Sequence, residues 1–186
     1  MSGPDDAELL RQVSAAVAAR TPVDERERAS IERFATEVAR LAHPFDEQAD
    51  PVHITASALI VGPRGIVLHR HKRLGIWVQP GGHIDAGELP WDAAVREAVE
   101  ETGLPARLAD PGHGDGHELA HVDVHPGPRG HTHLDLRYLL EAGDADPAPP
   151  PGESQDVVWL DWDEALAVAE PGMAGILRSL AARFPT

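Results

Sequence analysis

Residues 82–104 read Gly82-His83-Ile84-Asp85-Ala86-Gly87-Glu88-Leu89-Pro90-Trp91-Asp92-Ala93-Ala94-Val95-Arg96-Glu97-Ala98-Val99-Glu100-Glu101-Thr102-Gly103-Leu104. Glu97, Glu100 and Glu101 stand three and four positions apart, a spacing that puts their carboxylates on one face of a helix. Like charges that close repel and weaken an isolated helix unless a cation neutralises them. Carboxylate oxygens suit a hard divalent ion, Mg²⁺ with Mn²⁺ as substitute, rather than a soft metal. Most acidic helix faces are simply solvated, so the flanking residues have to decide between a site and a surface.

Those residues form a pattern: Gly82, five residues, Glu88, seven residues, Arg96-Glu97, two residues, Glu100-Glu101, one residue, Gly103 and an aliphatic. It resembles the signature of the Nudix hydrolase family with every spacing kept. Seven fixed residue types at roughly one in fifteen each give a chance match of about one in 10⁸ per start position. The departure is Ala98, where the family usually carries a larger aliphatic; it implies a smaller packing contact. The resemblance implies an α/β/α sandwich with a mixed sheet. It also implies metal-assisted attack of water on a phosphorus of a pyrophosphate bridge, with a carboxylate taking the proton. Glu97, Glu100 and Glu101 are then the metal ligands, and Glu100, Glu101 and Arg96 the catalytic set. Arg96, directly beside Glu97, reads as an orienting residue that needs a partner such as Glu88. Gly81 and Gly82 let the loop backbone approach helix and metal closely, and Gly103 supplies a left-handed helix cap. The base is open among Glu100, Glu118 and Asp135.

The 186 residues carry 16 basic and 31 acidic side chains, a net charge of −15. That balance disfavours a surface for duplex nucleic acid, where affinity rests on Lys and Arg neutralising phosphates. It leaves room for a small diphosphate-containing substrate, because a metal reverses the field inside an acidic cleft. No cysteine is present, which removes disulfides, thiolate ligands and thiol nucleophiles together. No stretch of about 18 apolar residues occurs, so no membrane partner and a cytoplasmic location are expected.

Residues 1–48 read as a helical extension and 49–186 as the Nudix domain. Leu9, Leu10, Val13 and Val17 recur at helical spacing over residues 5–19, and Thr21-Pro22 reads as the N-cap and first residue of a second helix running to about Ala42. The extension is expected to pack on the domain, with a dimer arm or a substrate cap as alternatives; a homodimer is therefore admitted. Strands are expected at 52–61 and 65–70 around a Gly62-Pro63-Arg64 turn, then at 76–79, 118–124, 132–141 and 156–160. The box helix spans about 91–102, and an amphipathic helix at 173–184 closes the other sheet face. The proline-rich segment Asp144 to Gly152 reads as loop or linker.

Eleven histidines are the second unusual feature. Strand alternation places His69 with His71, and His131 with His133 and Asp135, on common faces. These residues, with Arg73 and His83, are candidate substrate contacts; His131, His133 and Asp135 are also a candidate transition-metal group. Trp77, Trp91, Trp159 and Trp162 read as packing residues. The substrate class expected is a nucleoside triphosphate or a nucleoside diphosphate derivative. A ligand-sensing Nudix module that binds without turnover is the rival reading, opposed by the intact acidic triad. An isopentenyl diphosphate isomerase-like enzyme is a weaker rival, because that class relies on an active-site cysteine.

Overall fold

The computed structural model describes residues 6–110, 112 and 117–185. Its elements are α1 (Asp6–Ala18), α2 (Glu25–Val38), β1 (Val52–Gly62), β2 (Gly65–Arg70), β3 (Trp77–Val78), β4 (Gly81–His83), α3 (Pro90–Thr102), β5 (Arg107–Leu108), β6 (Leu119–Pro126), β7 (Thr132–Glu141), β8 (Val157–Leu160), α4 (Trp162–Val168) and α5 (Ala174–Arg183). Among the described residues the strands form one mixed eight-stranded sheet. At its centre β1 runs parallel to β7 in unbroken register from Val52↔Thr132 to Val61↔Glu141. The other edge of β1 is shared: β2 returns antiparallel at its end, and β4 pairs antiparallel at Thr55↔His83, Ala56↔Gly82 and Ser57↔Gly81. The outer edge of β7 carries β6 and β5, while β8 and β3 pair with β2.

Helices cover both faces, as the sandwich expectation requires. Ile54, Ala56, Ala58 and Ile60 of β1 and Leu134, Leu136, Tyr138 and Leu140 of β7 share one core with Leu9, Val13, Val17, Phe34 and Val38 of α1 and α2 and with Ala93, Ala94 and Ala98 of α3. Leu59, Val61 and Leu139 alternate to the opposite face, against Trp162, Ala165, Ile176, Leu177 and Leu180 of α4 and α5. The small side chain of Ala98, fully buried, is what allows α3 this approach to the sheet.

Several boundaries differ from the sequence expectation for identifiable reasons. The second helix starts at Glu25, because Asp24 caps it: its carboxylate accepts the N–H of Glu27 at 2.8 Å, and Glu27 in turn accepts the N–H of Val23 at 2.7 Å. Thr21-Pro22 is thus connector. Glu27, fully buried, pairs with Arg20 at 2.7 Å and accepts the N–H of Val122, fastening α2 to β6. The pattern also hid α4, whose capping box joins Asp161 and Glu164. Trp159 and Trp162 pack as expected, and their indole N–H groups donate to the carbonyls of Ala145 and Phe184.

On the second face, the end of β1 and β7 beyond α4 and α5 is polar and yet buried. Arg137 donates to Asp135 at 2.9 Å and to Asp123 at 3.0 Å, and Arg26 reaches Asp123 from α2 at 2.9 Å. Burial alone would raise both acids, but Arg137 and the surrounding donors hold each below the ordinary carboxylate range. Burial, reinforced by the charge of Arg137, pushes His121 down to about 3.

Both effects have the same sign. The depressed acids contribute stability that is present above their unfolded value of about 3.9 and is lost as pH falls through the folded value. His121 stays neutral in the fold while the unfolded chain gains a proton below about pH 6.5. These groups lower the urea midpoint as pH falls from 6.5 to 3, opposed between about pH 8 and pH 4.5 by Glu101, which burial pushes up to about 8. Between pH 6.5 and 4, His121→Gln should lose less of its midpoint than the wild type. Arg137→Ala, which strands two buried carboxylates, should cost about 3–5 kcal/mol at neutral pH, read from urea denaturation.

Candidate functional site

The turn between β4 and α3 brings the box together. Pro90 opens α3, and Gly103 closes it in the left-handed region at φ 70°. Between them Glu97 and Glu101 face inward, with side chains 16% and 18% exposed, whereas Glu100 is 58% exposed. The backbone of Gly81 and Gly82 lies against the two inner carboxylates. The N–H of Gly81 donates to Glu101 Oε2 at 2.9 Å, and a β-carbon at Gly82 would collide with the Glu97 carboxylate. At Gly81 it would collide with Ser57. Only glycine lets strand and helix meet this closely.

Arg96 occupies the centre of the acidic group. Its Nε and Nη2 form a fork onto Glu88 at 2.8 and 2.9 Å. Its Nη1 donates to Glu97 at 2.7 Å and Glu100 at 3.2 Å, and Nη2 also donates to the carbonyl of His83 at 3.0 Å. The hydrogen bonds to Glu88 are the main reason its pKa is raised. Burial would raise Glu88, but Arg96 and the N–H of Asp85 bring it below its usual value. One guanidinium thus ties the glycine strand, the loop and the helix together.

The inner pair is electrostatically different. Burial raises Glu97 despite its bond to Arg96. Burial, joined by repulsion from Glu97 and Glu153, pushes Glu101 up to about 8 against the N–H of Gly81. Glu88, Glu97 and Glu100 share hydrogen bonds from a single guanidinium that does not reach Glu101, and the two least exposed on α3, Glu97 and Glu101, are under-compensated. The donor type fits a hard divalent cation: Glu97 and Glu101 offer carboxylate oxygens on the inner side of α3, and the glycine backbone keeps the space beside Glu97 clear of any β-carbon.

The other sequence candidates divide. His69, on β2, is buried, and its Nε2 lies 3.7 Å from Glu101 Oε2. Burial lowers it to about 4. His71 does not share its face. Strand β2 ends at Arg70, and His71 Nδ1 instead accepts the N–H groups of Arg73 and Leu74 in a turn closed by Gly75 at φ 67°. Arg73 is exposed in that turn.

Asp135 is fully engaged by Arg137, Ser57 at 2.7 Å, Thr55 at 3.1 Å and Gln79 at 3.3 Å. The anticipated His131, His133 and Asp135 metal group is therefore not formed. Instead His133 meets His53, His83 and His125, with ring centroids 5.3, 5.6 and 5.4 Å away, and His131 stands 5.1 Å from His53. Burial lowers His53, and it lowers His133 to about 4 with help from the neighbouring imidazoles. Sequence reading missed His53, because its partners come from β7 and β4 and only strand register reveals them. It also missed Glu47, whose Oε2 lies 3.0 Å from His83 Nδ1.

A NUDIX domain model matches residues 51–180. The chain belongs to the Nudix family. The asymmetrical bis(5′-nucleosyl)-tetraphosphatase of Caenorhabditis elegans is 28% identical over 107 residues, 57% of this chain and 74% of that protein. A solved NUDIX-family hydrolase of Clostridium perfringens superimposes with a TM-score of 0.60 at 28% identity, covering 69% of this chain and 97% of that one. An RNA pyrophosphohydrolase of Erythrobacter litoralis is 56% identical over 39 residues, only 21% of this chain and 24% of that protein. The Nudix assignment makes the chain a hydrolase of that enzyme family, and it accounts for the sheet and α3. Among the described residues, no helix is long and apolar enough to cross a membrane.

Replacing Arg96 by Lys keeps the charge but breaks the fork to Glu88 and the reach to His83. Backbone amides of residues 81–83 should exchange faster with solvent, by about tenfold or more if roughly 1.4 kcal/mol of local protection is lost. Hydrogen-exchange mass spectrometry of the two proteins measures this.

Proposed function

We propose that this Nudix enzyme is a divalent-metal-dependent pyrophosphohydrolase. Its substrate class is a nucleoside triphosphate or a nucleoside diphosphate derivative, and the bond cleaved is a pyrophosphate bridge. The observation that carries the reading is the approach of Glu97 and Glu101 to the Gly81-Gly82 backbone, with Glu100 the more exposed neighbour outside them and Arg96 held by Glu88. The names of the relatives, a tetraphosphatase and a pyrophosphohydrolase, agree with phosphoanhydride chemistry.

Glu97, Glu100 and Glu101 would hold Mg²⁺, with Mn²⁺ as a substitute. When bound, such an ion neutralises charge on phosphate oxygens and makes water more acidic. Arg96 and Glu88 are positioning residues: they fix the loop and turn Glu97 toward the glycine strand. Of the carboxylates considered as base, Asp135 is tied up by four side chains and Glu118 is gripped by Arg183 at 2.8 Å. Glu100, the most exposed of the helix triad and bonded to Arg96 at 3.2 Å, is the proton acceptor from the attacking water in this reading. His69, whose Nε2 lies 3.7 Å from Glu101, is the histidine placed beside the carboxylate pair. Within the extension proposed for residues 1–48, α1 and α2 brace the following domain by packing onto its core.

The test is a product-release screen with Mg²⁺ or Mn²⁺ over nucleoside triphosphates, nucleotide sugars, ADP-ribose, NADH and dinucleoside polyphosphates. At least one class should be hydrolysed, and Glu101→Gln should lower the rate at saturating metal by about 100-fold or more. A fall of less than tenfold, about 1.4 kcal/mol of barrier, would remove Glu101 from the site. Tight binding of one compound with no turnover of any would favour the sensing module instead.

A further inference from the structure

The cluster of imidazoles on the polar end of the sheet is not used by the carboxylate chemistry. Register builds it: His53 of β1 lies directly opposite His133 of β7, and His83 of β4 pairs with Thr55, two residues along the same face from His53. One ligand nitrogen from each of the three lies within 4.8 Å of the other two. The Nε2 atoms of His53, His83 and His133 are all buried, and none has a hydrogen-bond partner. Buried polar nitrogens normally find partners, and three unpartnered ones on neighbouring rings are donors of the kind a metal ion accepts.

The opposite sides of two rings are already fixed. His53 Nδ1 lies 3.1 Å from the carbonyl oxygen of Asp50, which only a protonated nitrogen can satisfy. His83 Nδ1 faces the Glu47 carboxylate at 3.0 Å. These contacts select the tautomer whose Nε2 presents a lone pair, and they match the outer-sphere support that metal-binding histidines characteristically have. On the far side, a β-carbon at Gly127 would collide with the Nε2 end of His133. Glycine there lets the loop cover the ring without crowding it.

We propose that His53, His83 and His133 bind a borderline divalent transition-metal ion of the Zn²⁺ type, separate from the hard-cation site on α3. Three neutral imidazoles suit Zn²⁺, Co²⁺ or Ni²⁺ and reject Mg²⁺. Three protein nitrogens leave a fourth tetrahedral position for water or a phosphate oxygen, the arrangement of an open rather than a purely structural zinc site. Binding at about 2.0–2.1 Å draws the three nitrogens closer together than they stand here. The two centres meet at one residue: the His83 ring belongs to the imidazole site, and its carbonyl is held by Arg96 of the carboxylate site.

The test uses the full chain without a polyhistidine tag, stripped by chelator and then titrated with Co²⁺ and Zn²⁺ in excess Mg²⁺. Calorimetry and visible absorption are expected to show one Co²⁺ per chain with the ligand-field bands of nitrogen coordination, displaced by Zn²⁺. His83→Ala and His133→Asn should each abolish that equivalent while retaining the wild-type circular dichroism. Glu47→Gln should weaken it by about ten- to a hundredfold. The Glu97→Gln/Glu101→Gln double variant, dead as a hydrolase under the reading above, should keep it. No binding to the wild type overturns the proposal, as does survival of the equivalent in folded His83→Ala or its loss in the double glutamate variant. Metal-independent binding of inorganic phosphate that disappears in His83→Ala would likewise overturn it, making the cluster an anion pocket.

Discussion

The parallel pairing of β1 with β7 is the constraint on which the molecule turns. It joins residues about 80 positions apart in sequence along the full length of both strands. Both strands are covered on both faces for much of their length, and so they are strongly apolar at the α4 and α5 end. Toward their beginnings, the same register sets His53 against His133, Thr55 against Asp135 and Ser57 against Arg137. With one edge of β1 taken by β7, the other edge receives β4. That places Gly81 and Gly82 where the carboxylates of α3 can reach them.

Two guanidiniums then organise the acids in opposite ways. Arg137 lies inside the sheet sandwich, almost without exposure, and its partners Asp123 and Asp135 are held firmly ionised. Arg96 lies at the edge and is shared by Glu88, Glu97 and Glu100. Glu88 is held below its usual value, while Glu97, despite its bond to Arg96, and Glu101, which Arg96 does not reach, remain raised. A saturated buried pair is a structural element. An under-compensated one beside a glycine backbone is a place where another positive charge belongs. The difference in environment therefore separates carboxylates that hold the fold from those proposed above to bind the metal.

Legibility in the sequence followed locality. The box was readable because its residues act within one loop and one helix, and Gly103 ends that helix where its residue type suggests. The long strands around Gly62 and the final helix were readable by periodicity. The start of α2 lies at Glu25 and not at Pro22 because Asp24 caps it: Asp24 accepts the Glu27 N–H while the Glu27 carboxylate accepts the Val23 N–H, a pairing that no spacing rule ranks. His71 was misassigned because alternation was carried past the end of a strand that a turn cuts short. The gathering of His53 with His83 and His133, and of Asp123 with Arg137 and Arg26, depends on which strands are neighbours. A single sequence does not carry that information in any local pattern.

The proline-rich segment 144–152 looked like the least informative part of the chain, yet it is bound at several points. The N–H of Ala148 donates to the carbonyl of Thr102, the last residue of α3, and Gly103 is packed so tightly beneath Ala148 that no β-carbon fits. The carbonyl of Ala145 receives the Trp159 indole, and Arg64 grips Asp146. Its prolines lose little backbone freedom on being held there. Loops of this composition are ordinarily where a fold accepts insertions, new termini or protease nicks. Here the segment is a strap over the end of the glutamate helix, and lengthening or cutting it would give up the contacts of Ala148 with Thr102 and Gly103. Grafting and permutation in this fold are better aimed at the exposed turn 71–75.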